Sequence, residues 1–177
     1  MRQRAPIAIL LAALGLTLLA LGGLVVARGA EPGGIEEAWM LLFGAPDLGP
    51  VDFEHLRRSG ADGLACPPDI CPGAHADIVP PTLPIAGARL REIVRRVAQG
   101  EPDTVLVFSD RWGEQDRYVA RSRIMRFPDT VTVEIVGRGE GASTLALYSR
   151  SQIGAGLFSD NRARLARWLD GVKDAAR

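Results

Sequence analysis

The residues best suited to bind an anion lie in one stretch near the C-terminus, residues 149–162, which reads SRSQIGAGLFSDNR. A predicted strand leads through a glycine-containing loop into a predicted helix start, which is flanked by Arg150 and Arg162. Free amides and the dipole at a helix N-terminus favour negative charge, and guanidinium groups add to that effect. The pattern predicts an anion or partner site at Arg150, Gly154, Asp160, Asn161 and Arg162. The alternative is that Arg150 pairs with Asp160 or another acid and fixes the strand to the helix.

Covalent catalysis finds little support in the sequence. The chain contains no GxSxG or HExxH motif, and His55 and His75 are its two histidines. Carboxylates can act without histidine, so an envelope hydrolase stays an alternative, with Asp110 and Asp160 as the acids to examine. A structural or assembly protein is a third class. The sequence favours a binding or interaction module over an enzyme, and it indicates no cofactor.

Cys66 and Cys71 lie in a proline-rich stretch, CPPDICP. Two cysteines at this separation can close a small ring in an oxidising compartment, which predicts a disulfide. Free thiols are one alternative. A metal site that adds His75 and Asp77 is another, although structural zinc sites usually pair their cysteines more tightly and add a second complete ligand pair.

Residues 5–27 form an uncharged run that follows Arg2 and Arg4 and precedes Arg28. About 20 such residues span the hydrocarbon core as a helix, and the positive flank favours a cytoplasmic N-terminus. The run therefore predicts a single-pass anchor in the bacterial inner membrane, with the C-terminal domain in the periplasm. The alternative is a secretory signal that is cleaved near residue 27.

Length and charge limit the remaining possibilities. The 177 residues carry a formal net charge of zero, with cations and carboxylates mixed, which is unlike the basic stripe of a nucleic-acid-binding protein. The expected partners are instead the membrane, another envelope protein or a small anionic ligand. We predict an anchor over residues 1–30, a juxtamembrane segment over 31–50 with a short helix at 35–43, and one domain over 51–177.

Hydrophobic periodicity predicts the secondary structure of that domain. Residues 44–84 are rich in glycine and proline and predict an ordered wrap held by the disulfide. Apolar spacing predicts helices at 86–99 and 159–175, with Ser159 or Asp160 as N-cap of the second. The other face of the first helix is predicted to be solvated, and it carries Arg89, Arg91, Arg95 and Arg96. Strands are predicted at 104–109, 117–127, 130–136 and 144–149, with connections too short for parallel crossovers. The expected fold class is α+β, a four-stranded antiparallel meander with two helices on one face.

Two further motifs have an architectural interpretation. The glycines of VGRGEGAS, at residues 136–143, lie between two predicted strands and indicate a hairpin turn rather than a phosphate-binding loop. Arg121 and Arg123 fall on one face of the second predicted strand, where they could hold an anion. Pairing with Asp110 or Glu134 on neighbouring strands is the favoured interpretation.

The C-terminal stretch LYSRSQIGAGLFSDNRARLARWLDGV resembles a bacterial family, domain of unknown function 1499. The resemblance also takes in RSRIMRFPDTVTVEI and ACPPDIC, and it covers about residues 51–172. The family signature falls on Ser149, Arg150, Ser151, Gly154, Asp160, Asn161 and Arg162. The resemblance implies an envelope domain, often behind a signal or anchor, and it implies no activity.

Overall fold

The computed structural model describes residues 4–110, 115–153 and 160–177. The described residues form four helices and five strands. In chain order these are α1 Arg4–Arg28, α2 Ile35–Phe43, β1 Gly63–Ala65, α3 Gly87–Gly100, β2 Thr104–Ser109, β3 Gln115–Arg121, β4 Pro128–Gly137, β5 Ser143–Ser151 and α4 Asn161–Ala175.

The first of two compact units comprises the described residues up to Gly44 together with Arg123–Arg126. Within α1, an 18-residue stretch of Ile7–Arg28 has a mean hydropathy of 2.6, so the helix is long and apolar enough to cross a membrane, as either an anchor or a signal sequence would be. A tight turn connects α1 to α2, in which the Glu36 amide donates to the Gly29 carbonyl oxygen at 3.2 Å. Gly29 and Gly33 have positive φ there, which glycine adopts at little cost.

The second unit, Ala45–Ser122 with Phe127–Arg177, contains one antiparallel sheet. Its strand order is β1-β5-β4-β3-β2, so the predicted meander is confirmed for β2 to β5. The predicted number of four strands is wrong, because β1 pairs with β5 and adds a fifth strand at the edge. Three residues inside a glycine- and proline-rich segment show too little alternation for β1 to be recognised from sequence.

The second predicted strand ends earlier than its apolar content suggested. β3 stops at Arg121, and the Ser122 amide donates to the Phe127 carbonyl oxygen to begin the turn into β4. Arg126 has φ +55°, a left-handed value that a strand residue does not adopt. Arg123 lies in this turn, so Arg121 and Arg123 do not form a same-face pair on one strand. The predicted 137–143 hairpin is confirmed, with positive φ at Gly139 and Gly141.

The two faces of the sheet are covered differently. As predicted, α3 and α4 pack on one face, where Leu90, Ile93, Leu165 and Trp168 join strand residues in the larger apolar core. Residues 45–62 and 66–77, which we call the wrap, cover the other face. There the smaller core contains Val51, Phe53, Leu64, Cys66, Cys71, Ala146 and Tyr148. Ile78, Leu83 and Ile85 beyond the wrap pack against the larger core. Successive side chains of β5 point to opposite faces of the sheet, so they contact the helices and the wrap in turn.

Candidate functional site

Neighbouring residues of the predicted anion site lie on opposite faces of the sheet. Ser149 points to the helical face, where its Oγ donates to Asn161 Oδ1 at 2.6 Å. Arg150 points to the wrap, and its Nη2 donates to the carbonyl oxygens of Leu48 at 2.9 Å and Gly49 at 2.6 Å. The structure therefore does not bring Arg150 together with the start of α4.

The other predicted site residues are partly accounted for by ion pairs. Arg162 Nε lies 3.1 Å from Asp77 Oδ1, and the exposed Asp160 lies 3.9 Å from Arg167. Asp160 precedes the first residue of α4 as predicted, although its side chain makes no capping hydrogen bond. Gly154 and Ser159 lie outside the described residues. Among the described members of the motif, Asn161 is the one that lies at the centre of a larger network.

That network, which we call the polar core, consists of Asp129, Ser149, Ser151, Asn161 and Arg164. Arg164 Nη1 donates to Asp129 Oδ2 at 2.9 Å, to Asn161 Oδ1 at 3.0 Å and to Ser149 Oγ at 3.2 Å. Ser151 Oγ donates to the other oxygen of Asp129 at 2.6 Å. Burial raises the pKa of Asp129, against the opposing effects of Arg164 and Ser151. The polar core thus joins β4, β5 and α4, and its members other than the half-buried Ser151 are almost fully removed from water.

Asn161 extends the polar core to the edge of the sheet. Its Nδ2 donates to the Ala61 carbonyl oxygen at 3.1 Å, just before β1. A Cβ on Gly63 would lie 2.8 Å from the Asn161 backbone, so a glycine is needed for β1 to approach α4 this closely. Ser149, Ser151 and Asn161 of the C-terminal motif therefore have an architectural role in this chain.

A second buried network lies under the wrap, and it has no local signal in the sequence. Tyr148 Oη donates to Asp62 Oδ2 at 2.6 Å, and Arg58 Nε donates to Asp62 Oδ1 at 2.8 Å. Arg58 Nη2 also lies 2.6 Å from Asp77 Oδ2, which links this network to Arg162. Burial disfavours the ionised form of Asp62, but hydrogen bonds from Tyr148, the Ser59 amide and Arg58 outweigh it and lower the pKa.

Cys66 and Cys71 form a disulfide, with Cα atoms 6.2 Å apart and both residues buried. Asp77, the last member of the alternative metal motif, is bound to Arg58 and to the Leu64 amide at 2.9 Å. No group of three or more metal-ligating side chains occurs in the ranges that the structure describes. The cysteine pair therefore holds residues 66–71 of the wrap against the smaller core.

We expect replacement of both cysteines by alanine to lower the free energy of unfolding by about 2 kcal/mol, because a short loop is then no longer closed in the unfolded chain. Urea unfolding of the full chain in detergent, followed by near-ultraviolet circular dichroism, measures the change. Reduction of the native chain is the matched control and should give a similar loss. Equal stability with and without reductant, while the thiols become alkylated, would contradict this role.

A cavity of about 730 Å³ lies beside the N-terminal half of α3, at the end of the sheet. We call it the arginine cavity. Its lining includes three arginines and one acid of α3, and two residues of β4: Arg89, Arg91, Arg95, Glu92, Ile135 and Gly137. The predicted solvated face of this helix therefore borders a concave surface.

A buried carboxylate orients two of these arginines. Asp116 accepts from Arg91 Nε at 2.9 Å and from Arg91 Nη2 at 2.6 Å, which is a bidentate pair. Arg95 Nη2 donates to Ser109 Oγ at 3.1 Å, and the Ser109 hydroxyl donates to Asp116 at 2.6 Å. Burial disfavours the ionised form of Asp116, yet Arg91 and Ser109 outweigh it and lower the pKa. Arg95 is 41% exposed, so it can reach a ligand in the cavity. Arg89 is 54% exposed, but its Nη1 donates to Glu92 Oε2 at 2.7 Å.

The groove on the other side of the sheet, about 720 Å³, contains Arg117 and Phe108. Arg117 Nε is 2.9 Å from Asp47 Oδ1, and its guanidinium carbon lies 3.9 Å from the centre of the Phe108 ring. This arginine is 10% exposed, so it is bound by its own chain on both sides. The groove is less suited than the arginine cavity to bind an anion.

Asp110 and Asp160, the acids named for a carboxylate hydrolase, lie at opposite edges of the sheet. Asp110 follows the edge strand β2, whereas Asp160 precedes Asn161, which bonds to β5. Two strands separate β2 from β5, which corresponds to roughly 14 Å at the usual strand spacing. A glycosidase-type carboxylate pair is at most about 9.5 Å apart, so these two acids do not share a site of that kind.

Comparison of the chain with protein-family models, with curated proteins and with solved structures found no match. The resemblance to domain of unknown function 1499 stays a prediction from the motif.

Proposed function

We propose that the chain is a single-pass, membrane-anchored binding module of the bacterial periplasm, and that its domain binds a small anionic ligand in the arginine cavity. The apolar helix α1 supports the anchor, and the buried Cys66–Cys71 disulfide fits an oxidising compartment. The observation that carries the binding proposal is the set of three arginines from one helix that line one cavity.

Preorganisation is the physical reason to place the ligand there. Asp116 and Ser109 hold Arg91 and Arg95 in fixed positions, so little side-chain entropy is lost when an anion binds. The first turn of α3 adds free amides beside the cavity and contains no acid that would compete for them. A carboxylate or phosphate that contacts Arg95 would bind without rearrangement of the backbone, and a contact with Arg89 would replace its ion pair with Glu92.

We expect Arg95→Gln to weaken anion binding by roughly ten- to hundredfold, because one charge-assisted hydrogen bond contributes about 1.5–3 kcal/mol. Isothermal titration of the full chain in detergent with inorganic phosphate, and separately with citrate, measures the affinity.

Arg96→Gln is the matched control, because Arg96 lies on the same helix, is exposed and is not part of the cavity lining. Equal weakening by both variants would indicate a nonspecific charge effect and contradict the site. No binding of either probe to the native chain would favour the third class, an assembly protein.

A further inference from the structure

The first compact unit exposes large apolar side chains outside the α1 helix. Four of them end α2, and the fifth lies in the 123–126 turn that belongs to the same unit. They are Met40, Leu41, Leu42, Phe43 and Ile124, between 49% and 86% exposed. We call these five residues the apolar patch. Four consecutive exposed apolar residues cover most of the circumference of a helix end, which is unusual for a surface in water.

Side-chain contacts hold the two parts of the patch together. Trp39 Nε1 donates to the Met125 carbonyl oxygen at 2.7 Å, and Met125 directly follows Ile124. Arg126 Nη2 lies 2.6 Å from Glu36 Oε1 at the start of α2. Trp39 also packs against Phe43, with ring centres 5.9 Å apart. The turn and the helix therefore present their apolar side chains as one surface.

We propose that the apolar patch inserts into the headgroup region of the lipid monolayer from which α1 emerges. This inference rests on the proposed anchor. The Glu36–Gly29 hydrogen bond holds the start of α2 against the end of α1, so α2 begins at the level where the span leaves the membrane. A helix of nine residues is about 14 Å long, so all of α2 remains near that level.

The charges next to the patch fit a lipid surface. Arg123 is exposed beside Ile124, and Arg28 is exposed at the end of α1, where guanidinium groups can meet lipid phosphates. The two acids of α2 are engaged within the unit, because Glu36 pairs with Arg126 and Glu37 accepts from the Gly33 amide at 2.7 Å. Trp39 and Phe43 are of the aromatic type that is enriched at membrane interfaces.

The test places one nitroxide label at a time on the full chain, reconstituted in vesicles of phosphatidylethanolamine and phosphatidylglycerol. Leu41→Cys and Ile124→Cys introduce the labelling sites, and Val79→Cys is the matched control because Val79 is 62% exposed and lies in the second unit. The native cysteines are bonded to each other and do not react. Accessibility to oxygen and to a water-soluble nickel chelate reports the depth of each label.

We expect the labels at positions 41 and 124 to be several-fold less accessible to the nickel chelate than the label at 79, and more accessible to oxygen. Suppose that the intact mass shows residues 1–27 retained and that the chelate reaches the label at 124 as readily as the label at 79. That result would overturn the proposed insertion of the patch and leave the proposed anchor in place. Loss of residues 1–27 in the mass spectrum would overturn both. Dipolar broadening that disappears on dilution with unlabelled chain would show a second copy on the patch instead of lipid and would also overturn the proposal.

Discussion

Arg164→Ala is expected to lower the free energy of unfolding by about 3–5 kcal/mol, because it leaves the Asp129 carboxylate buried without its cation. Asp129 is 1% exposed and Arg164 is 8% exposed, so water cannot replace the lost contact. Arg164 also donates to Ser149 and Asn161, which would lose a shared donor. Urea unfolding of the full chain in detergent, followed by near-ultraviolet circular dichroism, gives the change.

Arg167→Ala is the matched control on the same helix. Arg167 is 54% exposed and pairs with Glu101 at 2.8 Å, so its loss should cost less than about 1 kcal/mol. Adding Asp129→Asn to the Arg164→Ala variant should restore part of the stability, because the uncompensated charge is then removed. A loss below about 1 kcal/mol for Arg164→Ala, or a further loss in the double variant, would show that the ion pair is not what holds the polar core.

Local patterns were enough to predict most of the elements of the domain. β2 was predicted at its observed bounds, and no end of α3 or α4 differs from its predicted position by more than two residues. Short connections gave the order of β2 to β5, because antiparallel neighbours are the strands that such turns can join. The disulfide followed from spacing and from the expected compartment. In each case the information lies within a few residues along the chain.

The candidate site was harder to predict because its contacts join distant residues. Arg150 and Arg162 flank a loop in sequence, but the alternation of β5 sends Ser149 to the helices and Arg150 to the wrap. Applying that alternation to β5 would have placed Arg150 on the face opposite to Leu145 and Leu147, which pack against the helices. The Tyr148–Asp62 hydrogen bond joins residues 86 positions apart, and no local signal marks it. Arg91 and Arg95 were predicted on a solvated face, and only the fold shows that Asp116 lies beneath them.

Buried or half-buried aspartates paired with arginine are the common feature of the domain, and three of them set its expected response to acid. The pKa values of Asp47, Asp62 and Asp116 are lowered, because hydrogen bonds and arginine charges outweigh the effect of burial. The unfolded chain, with an aspartate pKa of about 3.9, therefore takes up protons more readily than the folded chain. Asp129 acts in the opposite direction, because its raised pKa means that the folded chain takes up this proton at a higher pH than the unfolded chain does.

With three carboxyl groups against one, we expect stability to be full above about pH 5 and to fall progressively as the pH drops through about 4 and below. Asp62→Asn tests one of the three groups. The substitution removes the charge that Arg58 faces. It also replaces the carboxylate oxygen that accepts from Tyr148 and from the Ser59 amide with an amide donor. We therefore expect it to lower the free energy of unfolding by about 3 kcal/mol at pH 7. The difference between native chain and variant should shrink towards pH 3, because Asp62 itself is then becoming protonated.

Urea unfolding at a series of pH values between about 3 and 8 measures this convergence. Asp170→Asn is the matched control, because Asp170 is 72% exposed and pairs with Lys173 on the surface of α4, so its curve should follow the native one. The difference in stability between the native chain and Asp62→Asn could instead stay constant over the whole pH range. Asp62 would then stabilise the fold through packing and hydrogen bonding rather than through its charge. The acid response would then have to come from Asp47 and Asp116, where Arg117 and Arg91 provide the pairing charge.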